Sequence, residues 1–212
     1  MLIAGAKGHA KEILQLLTDQ ERITELCFFD NQSVYTEKLY SFQIIKTEEE
    51  VKQLFIKDKR YILGVGGPSA RYALNKLFES LGGIAESCIS RNANIGHYDV
   101  SLGPGINVMD NAFISNSVKI GKGCLLNQGC SVHHDCSIGE YCELSPGCRL
   151  LGGVTIGNYC SIGSGAVILP KITVGNNVIV GAGAVVNKDV PDNSLIVGVP
   201  AKKIRTLPNF IG

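Results

Sequence analysis

Residues 130–142 read Cys-Ser-Val-His-His-Asp-Cys-Ser-Ile-Gly-Glu-Tyr-Cys, two histidines and a carboxylate set among cysteines six apart. Three chemistries use these residue types. Histidine and cysteine ligate zinc when they converge on one point with bonds of about 2 Å. An imidazole beside a carboxylate makes a general base, because free imidazole titrates near ~6.5 and the acid stabilises the imidazolium. A buried thiol, finally, acts as a small apolar filler.

The spacing around this stretch assigns the cysteines. Cut every six residues from Ser101, the chain gives fifteen unbroken hexads ending at Val190. Their second place is always Leu, Val or Ile, from Leu102 to Val186, and their sixth is Ile, Val, Ala or Cys. A helix would need apolar residues near a 3.6 period. Period six instead suits short strands separated by tight turns, winding into a coil with two inward positions per hexad. Cys124, Cys130, Cys136, Cys142, Cys148 and Cys160 all fall in the sixth place. They are expected to form rows along a core, not a tetrahedral site.

Residues 1–86 have a different pattern. Leu2-Ile3-Ala4 reads as a buried strand, Gly5 to Ala10 as a tight turn, and Ile13, Leu14, Leu16 and Leu17 as one face of a helix. Cys27 to Asp30 reads as a second strand ending in an acid, and Gln43 to Ile45 as a third. Glu48 to Phe55 reads as a helix, Tyr61 to Val65 as a strand, Ser69 to Ser80 as a helix, and Ile84 to Ile89 as a closing strand. Alternating strands and helices predict a small parallel α/β domain of Rossmann-like type. Glycines after the first strand let backbone approach a ligand, and a helix N-terminus favours anions. Gly5-x-x-Gly8 is either such a site or a plain strand–helix turn. Asp30 either meets a ribose or base, or caps its turn.

The 212 residues carry a net charge of +1, which gives no reason to expect nucleic acid or an anionic membrane as partner. The first residues lack a basic segment followed by a long apolar one, so no signal peptide is expected, and the protein is read as cytoplasmic. Disulfides among the eight cysteines are then not expected.

The hexads resemble those of the hexapeptide-repeat acyltransferases. The front end adds Gly5-Ala6-Lys7-Gly8-His9, an acid closing strand two, and a glycine turn at Gly66. With the ending Gly198-Val199-Pro200-Ala201-Lys202, nearly the whole chain is similar to the sialic-acid O-acetyltransferase-like family, which includes N-acetyltransferases of nucleotide-linked 4-amino sugars. The resemblance implies a left-handed parallel β-helix of three hexads per coil, a homotrimer, and acetyl-CoA as co-substrate without a metal. It divides the chain into a nucleotide-sugar-binding domain (1–86), the β-helix (87–190) and a C-terminal tail (191–212).

It also implies site residues. His134-Asp135-Cys136 matches the family's His–acid–Cys, making His134 the base and Asp135 its orienting acid, with His133 the rival. Lys7, Gly8, His9, Asp30, Asn31 and Gly66 match positions that hold the sugar nucleotide. Asn127 is either a sugar contact or a polar turn residue, and Gly152 either an oxyanion donor or a bare hexad glycine. Glu143 stands where relatives often carry a His that meets CoA; Ser164 and Ala182 match the CoA groove. Lys202, Lys203 and Arg205 either meet CoA phosphates or form a solvated basic tail. With 18 residues per coil, a zinc on His134 would need ligands at Asn116 and Gly152, and His97 would share His133's register two coils away, roughly 9–10 Å.

The expected activity is acetyl transfer from acetyl-CoA to the 4-amino group of a UDP- or dTDP-linked sugar in bacterial surface-glycan synthesis. The alternatives are O-acetylation of a sialic acid or other sugar, and a non-enzymatic sugar-nucleotide scaffold.

Overall fold

The computed structural model describes residues 1–32 and 37–210, which cluster into two units: Met1–Gly66 with Ala70–Cys88, and Gly67–Ser69 with Ile89 onward.

In chain order residues 1–85 form β1 (Leu2–Ala4), α1 (Gly8–Asp19), β2 (Cys27–Phe29), β3 (Lys38–Leu39), β4 (Phe42–Ile45), α2 (Glu48–Lys57), β5 (Arg60–Leu63), α3 (Pro68–Ser80) and β6 (Ile84–Ala85). The sheet order is β3-β4-β2-β1-β5-β6, parallel except where β3 runs antiparallel to β4. That hairpin edge departs from the expected all-parallel sheet. β1 has neighbours on both sides and is wholly buried, which explains its unbroken Leu-Ile-Ala. Thr47 and Glu50 form a capping box at the start of α2. Pro68 opens α3, where its missing N–H leaves no intrahelical bond unmade. Between sheet and helices lies an aromatic cluster centred on Phe78, which meets Phe29, Tyr61 and Phe55 at centroid distances of 5.2, 5.1 and 6.1 Å.

The second unit is a left-handed parallel β-helix of two-residue strands. Strands pair 18 positions apart, as in Leu125↔Glu143, Ser131↔Arg149 and Ser137↔Thr155, one pairing on each of three faces. The second-place and sixth-place residues line the coil and form one continuous core. A side chain added at Gly121, Gly139 or Gly157 would strike the backbone of the coil above, which explains the Gly in the third place.

All eight cysteines are buried and unpaired as disulfides, so the core reading of the six in hexads holds. The thiols also do hydrogen-bond work. Cys124 Sγ donates to the Gly139 carbonyl (3.1 Å), Cys142 Sγ to Gly157 and Cys160 Sγ to Gly175 (both 3.0 Å). The N–H groups of Cys142 and Cys160 point back at the sulfurs of Cys124 and Cys142. A thiol thus fills a small inward site and satisfies a corner carbonyl that Ala would leave without that donor. Burial holds the thiols of Cys27 and Cys88 up at about 11 and suppresses the reactive thiolate.

Two elements differ from expectation. Cys88–Ile89 does not close the first sheet; it is the first strand on one face of the β-helix. The first coil also holds one extra residue: Ile95 pairs with Ile114, 19 positions on, whereas Ser117 N–H already bonds the Tyr98 carbonyl as Asp135 N–H bonds that of Asn116. The insertion falls at Gly96–His97, so His97 does not share His133's register. It also explains why the hexad pattern cannot be traced upstream of Ser101. At the other end the chain is not a loose tail. Ser194–Val197 adds to one face, Lys202–Thr206 folds back antiparallel on it, and Phe210 stacks on Tyr159 at 3.9 Å.

Candidate active site

Three local features set the His134–Asp135 pair. Val132 and Cys136 point into the core, which forces the intervening residues onto the outer wall of a corner. Asp135 occupies a left-handed conformation (φ 61°), which Asp tolerates better than most residues because its short polar side chain bonds locally. From there Asp135 Oδ2 lies 2.7 Å from His134 Nδ1. A carboxylate accepts only, so the Nδ1 carries the hydrogen and donates it, leaving Nε2 as the basic nitrogen. Both side chains are about two-thirds exposed, so the pair sets orientation more than stability.

Gly152 lies one coil on, directly against the imidazole. A Cβ there would sit 2.5 Å from His134 Cε1 and 2.6 Å from Nε2. Gly152 is not in a left-handed conformation, so Ala fits the backbone and only the ring must move. The Gly152→Ala variant is expected to fold normally and to lose about 10–10²-fold in turnover, because small misplacements of a reacting group carry costs of that size. Turnover equal to wild type, measured by CoA release, would show that the ring need not rest there. The rival, His133, packs its ring against Phe113 (5.7 Å) on the neighbouring strand. Among the described residues no three His, Cys, Asp or Glu side chains are placed to hold a metal ion.

Asn127 and Glu143 come together elsewhere on the β-helix. Asn127 is nearly buried, and its Nδ2 donates to Glu143 Oε1 at 3.2 Å. The other carboxylate oxygen, Oε2, accepts the Gly67 N–H at 2.6 Å, within the same unit. Gly67 is not singled out by the sequence; it is recognisable only from this contact. Ser164 and Ala182 are both exposed and stack one coil apart, the Gly183 N–H bonding the Ser164 carbonyl.

In the first unit, a cavity of about 380 Å³ is lined by Gly5, Lys7, Asp30, Asn31, Val65 and Leu74, among others. Gly8 opens α1 beside it, and a Cβ at Gly8 would meet nothing within 4 Å. The Lys7 side chain does not cap the helix, and its first turn holds no acid, so its leading N–H groups suit an anion. His9 Nδ1 bonds Glu12 at 3.0 Å, while its Nε2 is buried without a hydrogen-bond partner among the described residues. Asp30 Oδ1 accepts the Gln32 N–H at 2.9 Å, so it caps the turn and lines the cavity at once. Gly66 follows the lining residue Val65 in the chain. Lys202, Lys203 and Arg205 are exposed on the folded-back strand.

A coil of hexads bearing a carboxylate-held imidazole on its wall defines the hexapeptide-repeat acyltransferases. Family models agree: residues 117–152 and 153–188 match the bacterial transferase hexapeptide (six repeats), and residues 1–78 match the PglD N-terminal domain. The chain belongs to the sialic-acid O-acetyltransferase-like family of these enzymes and is an acetyl-CoA-dependent acyltransferase. It is similar to PerB from Caulobacter crescentus, solved in complex with CoA and GDP-perosamine, at 30% identity over 95% of each chain and a TM-score of 0.87. It is also similar to the acetyltransferase domain of PglB from Neisseria gonorrhoeae FA1090, solved in complex with acetyl coenzyme A (28% identity, 96% of this chain and 98% of that one, TM-score 0.88). WeeI from Acinetobacter baumannii AYE matches at 29% identity with the same coverage and TM-score. No curated protein matches the sequence. No helix among the described residues is long and apolar enough to cross a membrane.

Proposed function

We propose that this enzyme acetylates the 4-amino group of a nucleotide-linked amino-deoxy sugar, a UDP or dTDP sugar destined for a bacterial surface glycan. The observation that carries the reading is the 2.7 Å His134–Asp135 pair, which leaves His134 Nε2 as a base on the outer wall. The amine nitrogen attacks the thioester carbon; the C–N bond forms and the C–S bond breaks. The amine's proton passes to Nε2, and Asp135 stabilises the imidazolium. That proton then leaves with CoA as the thiol. Gly152 serves as an oxyanion donor through its backbone N–H. Ser164 and Ala182 are assigned to the CoA side, and Asn127 to the sugar.

The nucleotide is assigned to residues 1–86, where Lys7, Gly8, His9, Asp30, Asn31 and Gly66 surround or adjoin the cavity. The uncapped start of α1 suits a diphosphate, and the unpartnered His9 Nε2 offers a further polar contact. The carboxylate of Asp30 suits ribose or base hydrogens. The β-helix of residues 87–190 is proposed to work as a homotrimer in the cytoplasm, with residues 191–212 as its C-terminal tail. A solved relative bound to GDP-perosamine supports an amino-sugar acceptor.

The test is CoA release with acetyl-CoA and UDP-, dTDP- and GDP-linked 4-amino sugars, each beside its 4-hydroxy counterpart. Turnover of an amino form, with its hydroxy form inert, is expected. Turnover of hydroxy forms alone would replace the reading with O-acetylation, and inertness towards all would reject it.

A further inference from the structure

Among the described residues the Glu143 carboxylate has two partners, and both are donors: the Gly67 N–H on Oε2 and the Asn127 side-chain amide on Oε1. Glu143 sits on the strand Glu143–Leu144, which pairs with Leu125–Leu126. Leu144 points into the core, so Glu143 faces out, beside the residue that follows Leu126. Asn127 is anchored there, its own N–H bonded to the Leu144 carbonyl at 2.9 Å. An asparagine amide has nearly the same shape either way round, yet only its NH₂ can face a group that accepts and does not donate. The orientation is therefore dictated, and Oδ1 is the end that Asn127 turns away from Glu143. At a site where Asn127 is only 9% exposed, an amide turned the wrong way would set two acceptors against each other.

We propose that Glu143 is a positioning residue for the acceptor sugar. It fixes the Asn127 amide so that Oδ1 is offered to a donor on the substrate, and it acts on the sugar side of the reaction rather than by touching CoA. This rests on the acetyl-transfer reading above. The Glu143→Gln variant keeps the shape but turns an NH₂ toward one of the two donors, so one of the bonds must break.

The experiment compares steady-state kinetics of the full chain as wild type, Glu143→Gln, Asn127→Ala and the double variant. Glu143→Gln is expected to raise KM for the amino-sugar nucleotide about tenfold, the usual worth of one hydrogen bond in a buried setting. KM for acetyl-CoA should stay within about twofold, and the double variant should be no worse than Asn127→Ala, since the two residues act as one unit. A raised KM for acetyl-CoA with the sugar unaffected, or effects that simply multiply, would overturn the proposal and return Glu143 to the CoA side. If wild type turns over no amino-sugar nucleotide, the functional reading fails on its own. A crystal structure of Glu143→Gln then decides the positioning question. A turned or released Asn127 amide supports it, and an unmoved one overturns it.

Discussion

Replacing His134 by alanine is expected to lower turnover by about 10²–10⁴-fold, the usual contribution of a general base, and to leave the β-helix folded. The reasons are local. The imidazole is about two-thirds exposed, its hydrogen-bond partner is the equally exposed Asp135, and the core on either side is built by Val132 and Cys136. Removing it opens no cavity and strands no buried group, so stability should change by less than about 0.5 kcal/mol. The loss should appear in kcat more than in KM for acetyl-CoA, because a base acts on the transition state. His133→Ala is the matched control, since that ring rests on Phe113; a loss there of only a few-fold is expected. Turnover of His134→Ala within about threefold of wild type would remove the imidazole from the mechanism.

The second large effect is on stability. Phe78→Ala is expected to destabilise the protein by about 3–5 kcal/mol, seen as a lower denaturant midpoint for the first unfolding step. Phe78 is wholly buried, and its ring packs edge-on to Phe29 and Phe55 and at 60° to Tyr61. Truncation leaves a void that three rings, themselves held by the sheet and α2, cannot collapse to fill. The consequence reaches the cavity, because Phe29 also lines it beside Lys7 and Asp30. The thermal shift produced by a bound nucleotide should therefore shrink in this variant. A loss of under about 1 kcal/mol would mean that the cluster relaxes freely and is not the anchor of the sheet.

Much of the architecture is readable in the chain because repetition makes it so. Second-place aliphatic residues and sixth-place Ile, Val, Ala or Cys recur fifteen times, and each recurrence constrains the same two inward positions. The repeat therefore accounts for six cysteines before any contact is seen. The front domain is legible for the same kind of reason: β1 is a continuous apolar run, and β5 is one after Arg60. Where the repeat slips, so does the reading. One inserted residue at Gly96–His97 hides the first coil, and the return strand Lys202–Thr206 carries Lys, Lys and Arg rather than an alternating apolar pattern.

The candidate site divides in the same way. His134-Asp135 is adjacent in sequence, so its chemistry can be read from residue types alone. By itself the sequence determined the coil, its core and the presence of an imidazole with an acid beside it, because these depend on local periodicity and on neighbours in the chain. Only the tertiary structure decided what rests against each imidazole and what Glu143 holds. His133 meets Phe113, His134 meets Gly152 eighteen positions away, and Glu143 meets Gly67 and Asn127. Those contacts join residues that are distant along the chain, and a hydrogen bond or a clash depends on distances in space that sequence order does not carry.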